Sequence, residues 1–184
     1  MKKVNDYFSD KNYNLEKKEL FEKFYHFGCH VSELRNDNDY IKLEVFDNDL
    51  ILYNDNGNII CFDNICPHRG APFICGNKED GCQKLVCPYH GWSYQNGKLI
   101  IPNRNQFDDI EISKSDLVKY KIDKVGNFIF FSKEPIMSLK EQLGEFYSTL
   151  EMISKSIDKR IDLNKNEFLS NWKISLENAL ENYH

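Results

Sequence analysis

The hydrophobic pattern changes character along the chain. Residues 1–14 are polar and rich in Asn, Asp and Lys, and read as a loose arm. Over residues 15–25, Leu20, Phe21, Phe24 and Tyr25 recur at helical spacing among Glu16, Lys17, Lys18 and Glu22, which predicts an amphipathic helix with Gly28 suited to its exit. Over residues 27–131 the signals are those of strands. Ile41, Leu43 and Val45 alternate with Lys42 and Glu44, the pattern of a half-buried strand. Apolar runs at 50–53 and 59–62 flank Asn54-Asp55-Asn56-Gly57-Asn58, and the Asn-Gly step predicts a hairpin. A second hairpin is predicted around Gln95-Asn96-Gly97, and a third pairs 118–122 with 127–131 across Gly126. After Pro135, Leu139, Leu143, Phe146, Tyr147 and Leu150 predict one or two helices with Gly144 as a break. Residues 159–169 alternate loosely and suggest a strand. Trp172, Leu176, Ala179, Leu180 and Tyr183 form an apolar stripe at helical spacing, with Glu177, Glu181 and His184 together on another face. Without a sheet to cover, that stripe is expected to fray, to dock elsewhere or to aggregate.

The fold class that follows is mainly β within α+β: an antiparallel sandwich with two ligand-bearing hairpin loops, an N-terminal helix and a C-terminal helical extension. The organisation predicted is an arm, helix and first strand at 1–37, a β domain at 38–133, and linker helices leading into a further domain at 134–184. A chain of 184 residues that is 41% hydrophobic and 29% charged is an ordinary globular chain. A net charge of −5 without a basic stripe argues against nucleic acid. No apolar run of about 18 residues is present, so no membrane span is expected, and the polar start lacks a secretory core. A cytoplasmic location follows as the expectation.

Chemistry concentrates between residues 66 and 92. Cys66-Pro67-His68-Arg69-Gly70-Ala71 offers Cys-x-His, and Cys87-Pro88-Tyr89-His90-Gly91-Trp92 offers Cys-x-x-His. A [2Fe–2S] cluster of Rieske type needs this set: two thiolates on one iron and two imidazoles on the other. Cys66 and Cys87 are the expected ligands of the inner iron, and His68 and His90 those of the outer. Pro67 and Pro88 stiffen the loops, while Gly70 and Gly91 permit tight turns. A Cys2His2 zinc site is the alternative; the one-residue gap and the prolines and glycines of both loops point away from it. Of the other cysteines, Cys29 and Cys61 read as small buried apolar residues and Cys75 and Cys82 as reduced thiols. His26 and His30 read as structural. Arg69 either shapes its loop and meets an acidic partner, or makes a local ion pair.

These motifs resemble the large (α) subunit of Rieske non-haem iron oxygenases. The residues from Phe21 to Leu34 look like the family's opening helix and first strand, and Asn171-Trp172-Lys173 with Glu177-Asn178 and Glu181-x-x-His184 looks like the start of its catalytic domain. The resemblance implies electron transfer from a reductase or ferredoxin, through the cluster, to a mononuclear iron that hydroxylates substrate with O2. It implies a homotrimer in which Glu181 bridges the cluster of one subunit to the iron of its neighbour, with His184 as the first ligand of an incomplete iron triad. Glu at position 181 hints at a quaternary-ammonium substrate. Respiratory Rieske proteins carry a Ser where Trp92 stands, so a sulfide hydrogen bond is lost. Tyr94 is left as a donor to a cysteine sulfur, and the expected potential is roughly −150 to 0 mV. A stand-alone Rieske-ferredoxin-like carrier is the competing function, and an inactive interaction module a third.

Overall fold

The computed structural model describes residues 4–76, 79–106, 116–162 and 169–181. Nine strands form two antiparallel sheets: β1 (His26–His30), β2 (Asp39–Val45), β3 (Asn48–Asp55), β4 (Asn58–Asp63), β5 (Asp80–Cys82), β6 (Ser93–Gln95), β7 (Lys98–Ile100), β8 (Lys119–Val125) and β9 (Phe128–Ser132). The larger sheet has the order β1-β9-β8-β4-β3-β2-β5, and β6 pairs with β7 in a small second sheet. Short antiparallel hairpins with two-residue turns explain most of this order. Asn56-Gly57 and Asn96-Gly97 both adopt positive φ and close two-residue turns, as Asn-Gly steps favour.

Strand β3 is buried on both faces. Leu50 and Leu52 pack with Cys29, Leu34, Ile41, Cys61, Ile129 and Phe131 on one side. Ile51 and Tyr53 join Phe62, Cys66, Phe73, Ile74, Leu85, Cys87, Trp92 and Tyr94 on the other. The second cluster is the floor on which the cysteine loops rest. Among the described residues the α-helices around the sheet are α1 (Asn5–Phe8), α2 (Asp10–Glu16), α3 (Leu139–Leu143), α4 (Phe146–Ser156) and α5 (Trp172–Leu180). Leu139 packs with Val125 and Phe130, so α3 and α4 lie against β8 and β9. Gly144 interrupts α3 and α4 at φ 53, as its position predicts.

Several expectations change. The N-terminal arm is not loose. Ser9 caps α2 by accepting from the Asn12 N–H, and Tyr7 and Glu16 bind α5. The helix placed at 15–25 starts earlier and ends earlier: α2 runs into one π-helical turn, Lys17–Phe21. It stops there because the carbonyls of Glu22 and Lys23 are captured by the Glu134 and Ile136 N–H groups, which draws the chain alongside the end of β9. Gly28 is not a helix exit. It lies at the register shift within β1, where a Cβ would stand 2.5 Å from Leu52 Cδ1, so the close approach of β3 requires glycine. Strand β5 pairs with β2 through residues too few and too polar to have been predicted. Residues 159–162 form no strand, and 163–168, on which the rest of that expectation falls, lie outside the described residues.

The terminal helix forms but ends at Leu180. Glu181 takes extended dihedrals (φ −79, ψ 134), so it does not continue the face of Glu177. Glu177 itself is held by the Tyr7 hydroxyl, a partner 170 residues away. Of the stripe only Trp172 docks, on the N-terminal arm beside Lys173; Leu176, Ala179 and Leu180 stay exposed, and Tyr183 lies outside the described residues. Among the described residues no helix is long and apolar enough to cross a membrane.

Candidate metal centre

The first cysteine loop follows the β3–β4 hairpin, the second leads into the β6–β7 hairpin, and the two share one backbone plan. In the first, the Cys66 N–H donates to the Ala71 carbonyl at 2.7 Å and the Gly70 N–H to the Cys66 carbonyl at 2.9 Å. In the second, the Cys87 N–H donates to the Trp92 carbonyl at 2.7 Å and the Gly91 N–H to the Cys87 carbonyl at 3.0 Å. Gly70 (φ 76) and Gly91 (φ 72) occupy the same left-handed position in each. The loops are thus equal in span although His68 is second after its cysteine and His90 third.

Two side chains hold this pair of loops in place. Buried Asn64 accepts from the Phe73 and Ile74 N–H groups at 3.0 Å and donates to the Ile74 carbonyl and to Asp49, which fixes the way into and out of the first loop. Asp55, in the first hairpin turn, accepts from the Asn96 and Gly97 N–H groups at 2.7 and 2.6 Å, which ties the second hairpin turn to the first. Neither role is legible in the sequence. Asp55 reads as local turn chemistry, and its partners lie more than 40 residues away.

The loops bring the four predicted ligands together. Cys66 and Cys87 are buried, at 1% and 3% exposure, while His90 is exposed and His68 half-buried. The His68 and His90 rings stand 4.7 Å apart at 80°. Trp92 lies beneath, parallel to His68 at 4.7 Å and 10°. A cavity of about 420 Å3 opens between the loops, lined by Cys66, His68, Arg69, Cys87, Tyr89 and His90. A larger open cleft of about 780 Å3, between the β2–β3 turn and α5, gathers no cysteine or histidine.

The donor set fits a two-iron cluster. Burial pushes the Cys66 thiol pKa up, and the neighbouring Cys87 adds to this, so two thiolates are costly here without cationic metal. Tetrahedral zinc requires its donors to converge on one point. Among the described residues no three His, Cys, Asp or Glu side chains gather closely enough to hold a single metal ion. A [2Fe–2S] cluster asks only two protein donors of each iron.

The remaining expectations fall as follows. Tyr94 is buried in the same cluster as the two cysteines, but its hydroxyl is beside the Lys119 ammonium. Arg69 is exposed and makes no ion pair among the described residues, so the local salt bridge is not formed. Glu181 is exposed at the end of α5, and His184 lies outside the described residues. Cys29 and Cys61 are buried, and burial pushes the Cys29 thiol up to about 12. Cys75 and Cys82 are free and exposed. His30 accepts the Ser32 N–H at Nδ1 and donates from Nε2 to the Ser154 carbonyl, and His26 donates to the Phe21 carbonyl; both serve the fold.

Comparison with known proteins agrees with this geometry. Residues 25–112 match the Rieske [2Fe-2S] domain family. Over 185 residues the chain is 29% identical to the carnitine monooxygenase oxygenase subunit of Acinetobacter pittii (strain PHEA-2), covering 97% of this chain and 49% of that protein. Residues 25–112 thus form a Rieske [2Fe–2S] domain, and the chain as a whole is similar to oxygenase subunits of Rieske monooxygenases. It is also 29% identical to the glycine betaine monooxygenase oxygenase subunit of Chromohalobacter salexigens, covering 92% of this chain and 39% of that protein. Among solved structures, this Rieske chain is similar to the quaternary ammonium Rieske monooxygenase CntA in complex with an inhibitor, with a TM-score of 0.86 at 28% identity. The match covers 98% of this chain and 51% of that one. The chain thus spans about half the length, or less, of the curated relatives it matches.

Proposed function

We propose that Cys66, His68, Cys87 and His90 hold a [2Fe–2S] cluster and that the domain relays electrons within a Rieske oxygenase. The observation that carries this reading is the pair of equivalent loops, with two buried thiols below and two imidazoles at the surface. Bound there, the cluster supplies one-electron transfer. The protein's part is to exclude water from the sulfur side with Phe62, Phe73 and Trp92 and to leave His90 open to a partner. The electron donor is a reductase or ferredoxin, and the acceptor a mononuclear iron whose first ligand is His184. Glu181 is the bridge between centres across a homotrimer interface in the cytoplasm.

For the whole protein we infer O2-dependent hydroxylation of a quaternary ammonium compound. The similarity to carnitine and glycine betaine monooxygenase subunits supports this class, as does Glu at position 181. Electron paramagnetic resonance of the dithionite-reduced chain tests the centre. The expected result is a rhombic signal of average g below 2, with two irons and two sulfides per chain. A colourless chain with one zinc, or the spectrum of an all-cysteine cluster, overturns it.

A further inference from the structure

Residues 81–106, which contain the second cysteine loop, include no Asp or Glu. The first loop, from Asn64 to Gly76, also lacks acidic residues. Neither loop carries an acidic side chain of its own, and a partly exposed cation, Lys119 (side chain 38% exposed), lies over a buried ring beside them. Lys119 opens β8, opposite Phe62 in β4, the strand that leads into the first loop. Its ammonium lies over the Tyr94 ring, 5.1 Å from the centroid, and beside the hydroxyl. Tyr94 is 3% exposed and shares one buried cluster with Cys66, Cys87 and Trp92. The counter-charge, Asp116, is 3.4 Å from Nζ but two-thirds exposed, so solvent screens it. Another carboxylate on the same strand pair, Asp63, accepts from the Tyr120 hydroxyl at 2.9 Å.

We propose that Lys119 tunes the reduction potential of the centre: its charge, set against Tyr94, stabilises the extra negative charge the site gains on one-electron reduction. This rests on the four loop residues holding the cluster. A charge facing buried, weakly polarisable side chains acts over a longer range than one in water. Burial works against the ammonium, but Tyr94 and Asp116 hold the Lys119 pKa above its usual value, so the charge is present at neutral pH. The plain alternative is that the lysine stem merely covers Tyr94. That alternative predicts no change in potential when the charge alone is removed.

The experiment is a dye-mediated redox titration of the cluster-loaded chain, read by electron paramagnetic resonance. Lys119→Met is expected to shift the midpoint to lower potential with unchanged g values. Lys119→Glu should shift it further in the same direction, and Lys119→Arg should restore it. An unchanged midpoint in both Lys119→Met and Lys119→Glu overturns the proposal while the cluster remains visible. An unaltered chain that lacks the mixed-ligand signal overturns the cluster reading itself, and the proposal with it.

Discussion

Trp92 lies flat against the His68 imidazole, with 10° between the ring planes, although 24 positions separate them. The His90 ring meets that of His68 edge-on, at 80°. The stack fixes the plane of the His68 ring and covers one of its faces. Trp92→Ala removes a fully packed aromatic and is expected to cost roughly 3–5 kcal/mol of stability. Trp92→Phe keeps an aromatic plane there and is expected to cost less. Urea unfolding gives the stabilities, and iron per chain should fall sharply in the alanine variant alone. Equal iron in both would mean that His68 keeps its orientation without the stack.

Asp55 joins the two hairpin turns, and so sets the spacing of the two ligand loops. Asp55→Ala leaves the Asn96 and Gly97 N–H groups without their acceptor, at an expected cost of roughly 2–5 kcal/mol. Asp55→Asn keeps one acceptor oxygen and should lose about half as much. Denaturant midpoints of the two variants check the order. A neutral alanine variant would show that the turn amides find water instead.

Glu16 serves two donors on α5: the Trp172 indole N–H at 2.9 Å and the Lys173 ammonium at 2.6 Å. Lys173 is only 8% exposed, so losing this partner leaves a buried charge uncompensated. Glu16→Ala is expected to undock the helix at a local cost of roughly 3–5 kcal/mol. Trypsin should then cut after Lys173 in the variant well before it does so in the unaltered chain. Equal protection would place the hold on α5 in other contacts.

His26 packs against Phe21 and Phe131, and burial holds its pKa below the usual histidine value. The unfolded chain therefore binds a proton more readily than the folded one. The sign follows: this contribution to stability is present above pH about 6.5 and is lost as pH falls below it. Unfolding midpoints at pH 7.5 and 5.5 should differ more for the unaltered protein than for His26→Gln. Parallel behaviour of the two would remove His26 as the source.

Much of the β domain was legible because its signals are local. Asn56-Gly57, Asn96-Gly97 and Gly126 announce three hairpins whose pairing the structure reproduces. The ligand loops were legible because cysteine, histidine, proline and glycine at short fixed spacing allow few other uses. The first helix was misplaced because a π-helical turn and the capture of two carbonyls by the chain after β9 are not written in its periodicity. Gly28 was misread for the same reason: the Leu52 side chain that excludes a Cβ arrives from a strand 24 residues on.

By itself, the sequence determined where the cysteine and histidine loops lie and which hairpin turns flank them, since both depend on neighbours within a few positions. Only the tertiary structure decided that Asp55 ties the two turns together, that Trp92 faces His68, that Lys119 points at Tyr94 and that the N-terminal arm holds α5. Each of those contacts joins segments separated by more than 20 residues. Such pairs form because the sheet brings their strands and loops to one side, and spacing along the chain does not encode that.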